Sequence, residues 1–152
     1  MPISPSPKAQ GELAELRFLL KAVSLGLAVS KPYGDNLRYD FVVEAGGVLR
    51  RIQVKSSRVR ERRCYHICTA RSSKSKLAYT PADVDLLAIY LIPLNLWYLL
   101  PVSAVASLRT IRLCPARPGH RFEPYREAWH LLSSPEPSDH QITQSPDPPM
   151  TR

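Results

Sequence analysis

Three polar residues of this 152-residue chain have types and a spacing that suit chemistry on a phosphate. Asp40 precedes one run of strand-forming residues, and Gln53 and Lys55 stand two positions apart in the next run. Residues two apart in a strand project to the same face, so a hairpin would bring a carboxylate, an amide and an ammonium together. The carboxylate and amide oxygens suit Mg²⁺, and the ammonium can orient a water and offset charge on a phosphate.

A β-hairpin is the element that must position these three residues. Strand-like runs cover residues 39–44 and 48–56, and Ala45-Gly46-Gly47 between them is typical of a tight turn. Alternation in the second run predicts Gln53 and Lys55 on one face and the apolar Ile52 and Val54 on the other. The charge of Lys55 therefore lies in a strand that is expected to be largely buried.

The remaining elements indicate an α/β fold around a mixed sheet. A helix is predicted over residues 9–25, and its Leu13, Leu16, Leu20 and Val23 recur at three- and four-residue steps, which predicts one buried stripe. Gly26 supplies its C-terminal stop. Further strands are predicted at 28–31, 64–70, 85–92 and 96–100, and short helices at 102–108 and 124–132.

Taken in order, these motifs resemble the PD-(D/E)xK nuclease superfamily. Gly11-Glu12, Tyr39-Asp40 and Ile52-Gln53-Val54-Lys55 follow its order of a helical glutamate, an aspartate on the second strand and (D/E)xK on the third. The glutamine is more specifically similar to intron-encoded homing endonucleases of this fold, which carry a QxK motif. The resemblance spans about residues 9–132, between a flexible N-terminus predicted over residues 1–8 and a disordered Pro- and Ser-rich tail predicted over residues 133–152.

The resemblance implies a restriction endonuclease-like three-layer sandwich, with a central mixed β-sheet flanked by helices. It also implies hydrolysis of DNA phosphodiester bonds with Mg²⁺, for which Mn²⁺ can substitute. Asp40, Gln53 and Glu12 would be the metal ligands, and Lys55 would activate the attacking water. Glu15, one helical turn after Glu12, competes for the second carboxylate position; Glu12 is preferred because it follows the glycine of the motif.

A dense basic segment follows the proposed site. Residues 50–76 hold ten of the 21 Lys and Arg residues and one acid, in a chain of net charge +8. Such a segment suits contact with a phosphate backbone, although a solvated charged loop is the alternative interpretation. The predicted DNA-binding residues are Arg50, Arg51, Arg58, Arg60, Arg62, Arg63, Arg71, Lys74 and Lys76.

The cysteine pattern and the hydropathy of the chain bear on its cellular location. Three cysteines, an odd number without a CxxC pair, predict no disulfide framework and suit a cytoplasmic location. Cys64, His66 and Cys68 alternate on one strand but lack a fourth zinc ligand of suitable spacing. Residues 86–108 carry no charge, yet Pro93, Asn95 and Pro101 interrupt them, so buried strands are predicted and no membrane span.

The leading functional hypothesis is a metal-dependent endonuclease of double-stranded DNA with a homing or restriction-like role. A Holliday-junction resolvase or a repair nuclease of the same fold is a close alternative, and RNA remains open as a substrate. A catalytically inactive DNA-binding module is the alternative from a different class. Cutting both strands needs two active sites, so a homo-oligomer, dimeric or tetrameric, is expected.

Overall fold

The computed structural model describes residues 4–72, 74 and 77–133 of the chain. One α-helix and eight strands lie within these residues. They are α1 (Pro7–Ser24), β1 (Ala28–Ser30), β2 (Phe41–Ala45), β3 (Val48–Ser57), β4 (Arg60–Glu61), β5 (Cys64–Cys68), β6 (Leu86–Leu91), β7 (Leu96–Pro101) and β8 (Thr110–Leu113).

The strands form two sheets. The larger sheet has the order β1-β2-β3-β6-β7 and is mixed, because β3 and β6 run parallel while its other neighbouring strands pair antiparallel. The smaller sheet, β4-β5-β8, is antiparallel throughout. Strands β4 and β8 are absent from the sequence-based prediction, since runs of two and four residues carry little periodicity.

Three layers follow from the two faces of the mixed sheet. Helix α1 buries Ala14, Phe18 and Ala22 against one face, and the small sheet covers the other with residues such as Ile67 and Leu113. The predicted α/β class with a central mixed sheet is therefore confirmed. Within the described residues, the short helices predicted at 102–108 and 124–132 are 3₁₀ turns, and α1 is the single α-helix.

The β2–β3 hairpin closes through the predicted glycines. Gly46 and Gly47 have φ of +59° and +79°, the left-handed region that favours glycine, and a two-residue turn of this kind matches the twist of the flanking strands. Phe41 pairs with Ile52 and Ala45 with Val48, so the register along the hairpin is continuous. This register decides which side chains of β3 face α1 and which face the small sheet.

The predicted buried stripe on α1 is wrong. Leu13, Leu16, Leu20 and Val23 are 37%, 64%, 67% and 56% exposed, whereas Phe18 is fully buried. The helix limits themselves agree with the prediction to within two residues, and Ser6 caps the first turn by accepting a hydrogen bond from the Ala9 N–H at 3.2 Å. The helix thus begins inside the segment predicted as a flexible N-terminus, while residues 1–3 and 134–152 lie outside the described part.

An aromatic cluster explains why α1 turns its phenylalanine inward. The ring centroid of Phe18 lies 5.3 Å from that of Phe41, 5.8 Å from Trp97 and 5.7 Å from Trp129. Ala14 and Ala22, one turn to either side, are small enough to bring the helix close to the sheet. Aromatic contacts of this kind add to the stabilisation that comes from burying apolar area. The helix therefore buries the Phe18 ring, and the three leucines and the valine of the predicted stripe stay exposed.

The long uncharged stretch is explained by burial in the sheet. Residues of β6 and β7 are buried on both faces, and Asn95 takes the left-handed conformation (φ +47°) that joins them. Within the described residues, no helix has the length and apolar character that crossing a membrane requires.

Cys64 and Cys114 form a disulfide, so the prediction of no disulfide framework is wrong for this pair. They extend the β5–β8 pairing by one position beyond Tyr65 and Leu113, and their Cα atoms are 4.2 Å apart. Their separation of 50 residues in sequence concealed this proximity. Cys68 is free and exposed, and no group of three or more metal-ligating His, Cys, Asp or Glu residues occurs in the described ranges.

We predict that Phe18→Ala lowers the free energy of unfolding by about 3–5 kcal/mol, because it empties the centre of the aromatic cluster. Leu16→Ala, two residues away on the exposed face, should change it by less than about 0.5 kcal/mol. Urea unfolding of both variants and the wild type measures the difference. Equal losses would contradict the orientation of α1.

Candidate active site

Asp40 is fixed at the mouth of the β2–β3 hairpin by three hydrogen bonds. Its backbone N–H donates to the Ile52 carbonyl at 2.8 Å, which continues the ladder beyond Phe41. Its Oδ2 accepts from the Val54 N–H and from the Gln53 amide Nε2, both at 2.7 Å. The predicted placement of Asp40 opposite Gln53 is thus what the hairpin produces, and it leaves Oδ1 for another partner.

Burial makes the Asp40 charge costly. Burial raises the pKa of Asp40 above its ordinary value of 3.8, the Val54 N–H opposes this, and the nearby Glu15 carboxylate raises the pKa further. Lys55 and Lys31 lower it by smaller amounts. A cation beside Oδ1 would stabilise the ionised form, which is the electrostatic condition expected of a metal-binding carboxylate.

Lys55 lies on the same strand face as Gln53, and its ammonium stacks on an aromatic ring. The Nζ atom is 5.2 Å from the ring centroid of Tyr79, a buried residue. Burial lowers the pKa of Lys55, while Cys68 and Asp40 act in the opposite direction. The lysine is therefore held in place and is easier to deprotonate than an exposed lysine, which suits a group that handles the protons of a water molecule.

Of the two helical glutamates considered for this site, Glu15 is the one whose charge acts on Asp40. Glu15 pairs with Lys31 and is close enough to act on the pKa of Asp40. The Glu12 side chain is exposed and makes no hydrogen bond or ion pair with any described residue. The preference for Glu12 rested on its position after a glycine, and the direction in which α1 faces the sheet does not support it.

Asp40, Gln53 and Lys55 line one cleft of about 420 Å³, together with two arginines. The lining includes Asp40, Gln53, Lys55, Tyr79, Arg38 and Arg71. Arg38 was not singled out in the sequence because it stands alone in a turn-rich loop. Its ion-pair partner is Asp83, and the sequence carried a signal there, since a Thr and an Asp three positions apart often form a turn through side-chain bonds to the main chain.

The predicted DNA-binding residues differ in their exposure and in their contacts. Arg60, Arg62 and Arg63 are exposed at the β4–β5 hairpin, where Arg62 and Arg63 take the left-handed conformation with φ of +46° and +70°. Arg50 and Arg58 are half-buried, and Arg58 donates a hydrogen bond to Ser4. Lys74 is exposed, and Lys76 lies outside the described residues.

The guanidinium of Arg51, although partly exposed, is held by contacts within the protein. Its Nε and Nη2 donate to Asp85 at 3.1 Å and 3.0 Å, and Nη1 and Nη2 donate to the carbonyls of Ala82 and Pro81, both at 2.7 Å. All of its guanidinium nitrogens are thereby used within the protein. The prediction that Arg51 contacts DNA is not supported by this arrangement.

The donor set fits a hard divalent cation. Asp40 Oδ1 and the Gln53 amide oxygen belong to two side chains that are hydrogen-bonded to each other, and Glu15 is a further carboxylate whose charge acts on Asp40. Mg²⁺ is often bound by one or two carboxylates and otherwise by water and phosphate oxygens, so a site this poor in acids suffices.

Fold and site together indicate a nuclease. Residues 5–132 match the family model of the PD-(D/E)XK endonuclease, and the chain belongs to this family. Its structure is similar to that of a bacterial homing endonuclease, I-Ssp6803I, with a TM-score of 0.73 and 33% sequence identity over 84% of this chain and 93% of that chain. The resemblance drawn from the sequence is thus confirmed. Curated protein sequences provide no match.

We predict that Lys55→Met raises the free energy of unfolding at pH 7. The folded-state pKa lies below the unfolded value of 10.5, so the charged lysine destabilises the fold at every pH below the folded pKa. As pH rises from the folded pKa toward 10.5, the wild type regains this stability and the difference should shrink. Urea unfolding at pH 7 and at about pH 10 measures it, with the exposed Lys21→Met as control. A difference that does not change with pH would contradict the burial of Lys55.

Proposed function

We propose that the protein is a Mg²⁺-dependent endonuclease that hydrolyses phosphodiester bonds of double-stranded DNA, with a role similar to that of homing endonucleases. The observation that carries the proposal is the convergence of Asp40, Gln53 and Lys55 on one cleft in a chain of the PD-(D/E)XK endonuclease family. Mn²⁺ is expected to substitute for Mg²⁺, because both ions prefer oxygen ligands.

Each residue of the site has a separate task in this proposal. Asp40 Oδ1, the Gln53 amide oxygen and Glu15 would hold the metal, which when bound supplies Lewis acidity toward a phosphate oxygen. Lys55 orients the attacking water, and its lowered pKa helps it to accept a proton from that water. Tyr79, whose pKa burial raises to about 12, stays neutral and keeps the lysine over its ring.

The exposed arginines at the β4–β5 hairpin supply the second requirement, contact with DNA. Arg60, Arg62 and Arg63 are all exposed in one short hairpin, which suits contact with a phosphate backbone. A homo-oligomer is part of the proposal, because two active sites are needed to cut two strands. A cytoplasmic location stays a prediction from the sequence.

We predict that Asp40→Ala and Lys55→Ala each abolish Mg²⁺-dependent nicking of duplex DNA while DNA binding persists, since each removes a different part of the chemistry. EDTA should stop the wild type. Glu15→Ala should lower the nicking rate at least tenfold, and Glu12→Ala should not. Nicking of supercoiled plasmid under single-turnover conditions measures all four. Retained activity in Asp40→Ala or Lys55→Ala would remove the proposed site, and binding without any cleavage by the wild type would favour the inactive module.

We predict that Gln53→Glu tightens Mg²⁺ binding without necessarily raising the rate. A carboxylate offers a full charge to the metal, but it cannot donate the hydrogen bond that Gln53 gives Asp40, and it raises the pKa of Lys55. Gln53→Ala should need the most Mg²⁺, because it lacks the ligand. Titrating Mg²⁺ against cleavage and against the thermal midpoint compares the three proteins. The same metal dependence in all three would place Gln53 away from the metal.

A further inference from the structure

We infer that Arg38, Arg71 and Asp83 form a phosphate-binding subsite beside Lys55, in which Asp83 holds the two guanidinium groups toward the cleft. The inference deepens the proposed function and rests on it, since the ligand would be a backbone phosphate next to the one that is cut. Arg38 and Asp83 lie outside the basic segment of residues 50–76, so sequence charge density does not point to them.

Asp83 has the contacts of a fixed anchor. Its side chain is 8% exposed, and its Oδ2 accepts from the Thr80 N–H at 2.9 Å and from the Thr80 hydroxyl at 3.0 Å. Burial alone would raise the pKa of Asp83, but the hydrogen bonds from Thr80 and Arg71 outweigh it and lower the pKa. The carboxylate is therefore ionised and held by the turn of residues 80–83, independently of any ligand.

Both oxygens of this carboxylate bind a guanidinium. Arg38 Nε lies 3.1 Å from Oδ1, and Arg71 donates to Oδ2 through Nε at 3.1 Å and Nη2 at 2.8 Å. The backbone of Arg71 is also fixed, since its N–H donates to the Leu77 carbonyl at 3.0 Å. Two arginines that start from different loops are thus brought to the wall of one cleft.

The two guanidiniums keep donors that Asp83 does not use. Arg38 retains Nη1 and Nη2, and Arg71 retains Nη1, without a hydrogen-bond partner in the described part of the chain. Arg51 is the contrast within the same protein, because Asp85 and two carbonyls take all of its nitrogens. Two positive charges against one negative charge leave a net attraction for an anion, and a guanidinium fork matches phosphate geometry.

The decisive test is Asp83→Asn, because a charge effect and a positioning effect have opposite signs. Removing a negative charge from a DNA-binding cleft should strengthen binding if Asp83 acted only through its charge. If Asp83 positions the two arginines, Asp83→Asn should weaken DNA binding and lower the single-turnover cleavage rate about tenfold. Thermal unfolding shows whether the variant is folded. Tighter binding with an unchanged rate would overturn the inference.

Arginine variants test the same subsite even if Asp83→Asn does not fold. Arg38→Ala and Arg71→Ala should each make the slope of log affinity against log salt shallower by about one, measured by anisotropy of a labelled duplex in EDTA. Arg71→Lys should keep the slope but lower the cleavage rate. Arg51→Ala, the matched control, should lower the thermal midpoint and leave the slope unchanged.

The outcomes separate this inference from the proposed function. If the wild type neither binds nor cuts DNA, the proposed function fails, and the subsite with it. If the wild type binds and cuts but Arg38→Ala and Arg71→Ala give the salt slope of Arg51→Ala, the subsite is wrong and the nuclease stands. The expected result is a shallower salt slope in Arg38→Ala and Arg71→Ala, and an unchanged slope in Arg51→Ala.

Discussion

The register of the β2–β3 hairpin is the constraint on which both the core and the site depend. Two hydrogen bonds lock Asp40 to this register: its backbone N–H donates to the Ile52 carbonyl, and its carboxylate accepts from the Val54 N–H. Because alternate residues of a strand face opposite ways, the same register buries Ile52 and Val54 against α1 and presents Gln53 and Lys55 to the cleft. A slip of one residue would bury the polar pair and expose the apolar pair, so core packing enforces the geometry of the site.

The two faces of β3 make opposite contributions to stability. On the α1 face, Phe18 and the aromatic rings around it bury apolar surface, which stabilises the fold. On the cleft face, burial raises the pKa of Asp40 and lowers that of Lys55, so both groups are destabilised in their charged forms. A well-packed opposite face is therefore what allows partly desolvated charges to remain in the cleft, where they act more strongly than in water.

Sequence patterns predicted local structure and the hairpin site, but not the contacts between distant segments. The strands around Gly46 and Gly47 were predictable because turn chemistry and two-residue alternation are local. The inward face of α1 was not, because the rings that attract Phe18 come from distant parts of the chain. For the same reason the Cys64–Cys114 bond was missed, and the choice between Glu12 and Glu15 could not be made from their positions in the sequence.

The glutamine at position 53 is consistent with the charges that surround it. Asp40 is already hard to ionise, and Glu15 adds to the difficulty, so an acid at position 53 would add a further negative charge beside Asp40. An amide avoids this, because its nitrogen donates to Asp40 Oδ2 at 2.7 Å while its oxygen remains a neutral ligand for a cation. A carboxylate could offer the ligand but not the donor. The side chain that makes the site poorer in charge is thus also the one that holds its aspartate in place.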